Sequence, residues 1–120
     1  MQDYSELLKI AKGNLNNVEI QKNTQSIAVL TDKGNIYTKI IFNALSDENT
    51  DEYSLLNDLE SNDDTQIQKI ICFWANGGVD LPSWKFRKML CELNIENQNA
   101  QMLLHGGTAF IVKSILQTLK

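Results

Sequence analysis

The chain has 120 residues, 42% of them hydrophobic and 8% aromatic, with a net charge of −4. That balance excludes a disordered chain and leads us to expect one domain over 1–120, large enough to bury a core without staples. No apolar run reaches the roughly 18 residues that cross a bilayer and no signal-peptide pattern opens the chain, so a cytoplasmic protein with no membrane partner is expected.

In chain order, Tyr4, Leu7, Leu8 and Ala11 follow the helical i, i+3, i+4, i+7 spacing, and Gly13 is placed to end that helix. Residues 14–25 are rich in Asn and Gln and read as an irregular connection with a short strand at 18–20. Two β-rich runs, 26–31 and 36–42, flank the turn Asp32-Lys33-Gly34-Asn35 and form a hairpin. Thr50 or Asp51 caps a second helix, whose Tyr53, Leu56 and Leu59 share one side with Leu55 flanking. After a polar loop at 61–65, the run 67–74 is almost unbroken in its apolar character. Such a strand is covered on both faces, as in a parallel or mixed sheet with helices on each side.

A turn at 76–78 precedes Pro82 and Ser83, which open a third helix with Phe86, Met89, Leu90 and Leu93 in helical register. Residues 100–104 and 108–112 read as short strands, and 114–119 as a closing helical turn or two. A hairpin followed by strand, helix and strand implies an α/β fold, a three-layer α/β/α sandwich on a mixed five-stranded sheet.

Cys72 and Cys91 stand among apolar neighbours and read as core thiols in a reducing compartment. His105, Cys72 and Cys91 have no metal-ligand spacing, and one histidine assembles no Ser-His-acid or Cys-His grouping. Trp74 and Trp84 read as packing residues. Between Lys39 and Lys69 there is no basic residue, while Asp47, Glu48, Asp51, Glu52, Asp58, Glu60, Asp63 and Asp64 fall in that stretch. Such a face repels nucleic acid and steers a basic protein partner; its plainer role is a solvated helix with acidic loops.

Taken together, "SIAVLTDKGNIYTKIIFN", "TDEYSLL", "IQKIICFW" and "PSWKFRKML" resemble, in order and spacing, the cytidine deaminase family over most of the chain. The resemblance implies a helix opening with Cys-Ala-Glu or His-Ala-Glu and another opening with Pro-Cys-x-x-Cys-Arg, which together hold zinc. The ligand positions then read Thr50, Ser83 and Phe86, and the proton-shuttling glutamate reads Glu52. Thr and Ser are poor zinc ligands and Phe is none, so a metal site overwritten by core packing is expected, with no cofactor. Ser83 also serves as a helix cap, and Glu52 as a first-turn acid complementing the helix dipole. The family's ribose-holding Asn-x-Glu corresponds to Asn43-Ala44-Leu45, which keeps the Asn and lacks the acid. Asn43, Thr50, Ser83, Trp84 and Phe86 would line the vestigial pocket. The family's dimers and tetramers imply a candidate homo-oligomer.

The leading expectation is thus a catalytically inactive binding protein, such as an immunity protein that neutralises a basic, nuclease-type toxin. Its surface would be built from Asp47, Glu48, Asp51, Asp58, Asp63 and Asp64. The alternatives are a nucleoside or nucleotide sensor that kept the pocket, and a divergent nucleoside deaminase.

Overall fold

The computed structural model describes residues 4–15, 24–42, 51–75, 78–80, 82–104 and 109–111. Helix α1 spans Tyr4–Leu15, with Glu6 in its first turn and Lys12 in its last, the polarity the helix dipole favours. It runs through Gly13, where the sequence pattern had ended it. Leu15 is buried with Leu7 and Ala11, and that packing carries the last turn past a residue that costs about 1 kcal/mol against alanine.

Strands β1 (Gln25–Thr31) and β2 (Ile36–Ile41) form the expected antiparallel hairpin, with Leu30 opposite Ile36. The Thr31 N–H donates to the Asn35 carbonyl at 2.9 Å and the Gly34 N–H to the Thr31 carbonyl at 3.0 Å. Gly34 takes φ +86°, a conformation that needs a residue without Cβ. Helix α2 spans Asp51–Ser61, β3 Ile67–Trp74, β4 Val79–Asp80 and α3 Trp84–Leu93. A 3-10 turn at Ile95–Asn99 leads into β5 (Gln101–Leu103), and β6 is Ala109–Ile111.

The sheet order is β2-β1-β3-β5-β6. The β3–β5 pair is parallel and the others are antiparallel, so the five-stranded path is mixed, as expected. Strand β4 was not expected. It pairs with Cys72 and Phe73, beyond the stretch Lys69–Ile71 that pairs with β5.

Residues alternate across the sheet with a period of two. Ala28, Leu30, Ile71, Phe73 and Leu103 pack against α1. Ile27, Val29, Ile70, Cys72 and Met102 pack on the opposite face with the buried residues of α2 and α3. The result is the three-layer α/β/α arrangement, with both faces of β1 and β3 covered. Each Leu or Ile fully buried this way contributes about 1.5–3 kcal/mol.

Helix α2 corrects one expectation. Its buried stripe is Glu52, Leu55, Leu56 and Leu59, while Tyr53 is 44% exposed. A carboxylate occupies the position that the apolar pattern had assigned to the tyrosine's side. No helix among the described residues is long and apolar enough to cross a membrane. The strand expected at 18–20, the turn at 76–77, His105 and the helix at 114–119 lie outside the described residues.

Candidate functional site

The first turns of α2 and α3 meet beside the end of β3. Ser83, with φ −57° and ψ 152°, is the N-cap of α3 and accepts the Phe86 N–H at 3.1 Å. The same hydroxyl donates to Glu52 Oε2 at 3.0 Å. Two of the residues singled out from sequence are thus brought together across 31 positions. Phe86 is fully buried in the core cluster that includes Leu55, Leu59, Cys72 and Leu90. It fills space and points no donor atom outward.

Burial pushes the Glu52 carboxyl above its ordinary value; the Ser83 hydrogen bond and Lys85 work against that shift, and Asp51 adds to it. Burial likewise raises the Cys72 thiol far above its ordinary range, with Asp80 and Glu52 reinforcing the effect. Cys72 is a buried thiol that packs in the core as a small hydrophobe. Cys91, half-buried on α3, is also raised by burial.

Arg87, which follows Phe86 in the Pro-Ser-x-x-Phe-Arg run, is buried, a placement the charge pattern did not foretell. Its Nε donates to the Ser83 carbonyl at 3.3 Å, and its Nη1 is buried without a hydrogen-bond partner among the described residues. Desolvation lowers its pKa, and the nearby Asp80 charge opposes this.

Of the three ligand positions that the resemblance implies, the two among the described residues, Ser83 and Phe86, do not fit zinc. Ser83 spends its hydroxyl hydrogen on Glu52 and accepts from Phe86 N–H, and Phe86 offers no ligand atom. Among the described residues no group of three His, Cys, Asp or Glu lies close enough to hold a metal ion. Thr50 and Asn43 lie outside the described residues. Trp84 is 46% exposed rather than packed, and Lys88 Nζ sits 5.4 Å from its ring centre. Lys85 Nζ lies 4.7 Å over the Tyr53 ring, and Trp74 Nε1 donates to Asp80 at 3.1 Å.

The candidate acidic surface divides. Asp58 and Asp63 are exposed, as a partner-binding role requires. Asp51 is half-buried, and its Oδ2 accepts the Phe42 N–H at 3.1 Å, tying the start of α2 to the end of β2. Asp64 is not a surface acid: it is 2% exposed. Its Oδ2 accepts from Thr31 Oγ1 at 3.0 Å and from Asn35 Nδ2 at 2.9 Å. Desolvation opposes its ionisation, but the Asn35, Thr31 and Tyr37 hydrogen bonds and the Lys33 charge outweigh that and hold the carboxyl below its ordinary value. Asp64 therefore fastens the loop after α2 to the hairpin turn. Asp47 and Glu48 lie outside the described residues.

Glu52 was legible as a buried residue in one respect: 52, 55, 56 and 59 themselves keep helical register. Nothing local signalled the burial of Arg87 or Asp64.

No protein-family model matches the chain, and no curated protein matches it in sequence. Solved structures do match. The cytidine deaminase of Mycobacterium leprae superposes with a TM-score of 0.77 at 18% identity, over 97% of this chain and 98% of that one. The cytidine deaminase of Mycobacterium tuberculosis gives 0.76 at 18%, over 97% and 95%. That of Bacillus anthracis gives 0.73 at 12%, over 94% and 86%. The fold is cytidine deaminase-like.

Proposed function

We propose that this chain is a non-catalytic binding protein on a cytidine deaminase-like fold, which neutralises a basic partner protein such as a nuclease-type toxin. One observation carries the loss of chemistry: Ser83 and Phe86, at the expected ligand positions, serve as a helix cap bonded to Glu52 and as a fully buried core side chain. The exposed acids Asp58, Glu60 and Asp63, in a stretch free of basic residues, support a cationic partner.

The test is the zinc content of protein purified without chelator or affinity metal, followed by cytidine turnover. A protein without zinc that melts cooperatively and leaves cytidine intact supports the proposal. About one zinc per chain would overturn it. It would favour the second reading, a divergent nucleoside deaminase, for which one observation speaks: Glu52 is retained at the mouth of α3 with its carboxyl raised, as an acid–base group requires.

A further inference from the structure

The two grooves that stand out differ in charge. One of about 510 Å³, between the starts of β3 and β5, mixes Asp32, Lys69 and Glu96 and offers no single complement. The other, of about 300 Å³, runs between α2 and α3. Leu56, Met89 and Leu93 line it with apolar surface, Tyr53 walls one end, and Glu60 and Glu92 line it as exposed acids.

The two helices run side by side in the same direction. Their first turns meet at Glu52 and Ser83, and Glu60 shares the groove with Glu92 and Leu93 at their far ends. Both therefore point their negative dipole ends to one place. Helix stability favours cations there, yet neither last turn holds a base. Helix α2 has Asp58 and Glu60 near its end and α3 has Glu92, while α3 opens on Lys85, Arg87 and Lys88. Of these three, Lys85 lies over Tyr53, Lys88 lies over Trp84, and Arg87 is buried. The far end of the groove thus joins apolar surface to concentrated negative potential, with no basic side chain in the last turn of either helix.

We infer that this groove is the docking surface for a cationic amphipathic segment of a partner protein, one that seats an apolar side chain on Leu56, Met89 and Leu93 between Lys or Arg residues facing Glu60 and Glu92. The inference rests on the binding role proposed above and gives that role its place on the surface. It also sets an orientation: the cations of the segment face the C-terminal ends of the helices, away from Lys85 and Lys88.

The probe is a labelled synthetic helix with Leu on one face and Lys on the other, read by fluorescence polarisation against the full chain. A Leu/Glu helix serves as control. Wild type binds the Lys helix, less tightly as salt rises from about 50 to about 500 mM, and does not bind the Glu helix. Glu60→Lys with Glu92→Lys weakens binding by about ten-fold or more. Met89→Gln, which keeps the helix and removes apolar contact, weakens it by about five-fold. Asp32→Lys with Glu96→Lys, on exposed acids of the other groove, leaves it within about two-fold. Circular dichroism melts show that each variant folds. If reversing Asp58 and Asp63 to Lys abolishes binding and reversing Glu60 and Glu92 does not, the binding role stands and this location falls. If wild type binds neither helix, or light scattering shows a dimer that the Glu60/Glu92 reversal splits, the inference is overturned. Zinc content and cytidine turnover, measured on the same preparations, show separately whether the proposed role has failed.

Discussion

The Ser83 hydroxyl joins two helices at one atom: it accepts the Phe86 N–H that opens α3 and donates to the Glu52 carboxylate on α2, 3.0 Å away. A side chain that would be asked to bind a metal in the resembled family is here a structural pin.

Ser83→Ala removes the cap and leaves a buried carboxylate without its donor. A loss of about 1–2 kcal/mol is expected in urea unfolding. A change below a few tenths would mean that the pin carries nothing.

Glu52→Gln tests the raised carboxyl. The folded value lies above the ordinary 4.5, so the folded state holds the proton more tightly than the unfolded state does. The stability this group contributes is full below that ordinary value and is lost as pH rises through the folded value. The Gln variant, which still offers an oxygen to Ser83, should match or exceed wild type at pH 7. Its advantage should shrink as pH falls through the carboxylate range. A variant less stable than wild type at neutral pH and equal to it in acid contradicts this.

Phe86→Ala opens a cavity in a fully buried site and should cost about 3–5 kcal/mol with the urea m-value unchanged. A cost under about 1 kcal/mol would indicate that the surroundings collapse or that a pocket is open there.

Asp64 titrates in the opposite sense to Glu52. Its folded value is lowered from 3.8, so its contribution is present above that value and is lost as pH falls through the folded one. Asp64→Asn should cost about 2 kcal/mol at neutral pH and flatten the acid limb of the stability curve. Asp58→Asn, on the exposed side of α2, should stay within about 0.5 kcal/mol. Equal effects from the two would remove the latch.

Gly13→Ala should stabilise the protein by about 0.5–1 kcal/mol in thermal or urea unfolding. The glycine lies inside α1, and a Cβ there meets nothing within 4 Å. A loss of stability would place the end of the helix back at Gly13.

Much of the framework was present in the amino-acid order, because the signals that make helices and strands are local. The β-rich run at 26–31, the almost unbroken apolar run at 67–74, the Gly34 turn, and Phe86 with Leu90 in helical register each depend on neighbours within a few residues. The mixed sheet followed from two-sided apolar strands separated by helical segments. What only the tertiary structure decided is the state of the polar groups. The acid run made Asp64 read as solvated, but its partners Thr31 and Asn35 lie 33 and 29 residues away. Glu52 entered a buried stripe because Ser83, on another helix, offers it a donor, and Tyr53 was left outside on the strength of that exchange. Arg87 went in while Trp84 stayed out, although hydrophobicity alone ranks them the other way. Burial of a charge depends on which donors and acceptors the fold brings to it from distant parts of the chain, and that information is not written in any local window.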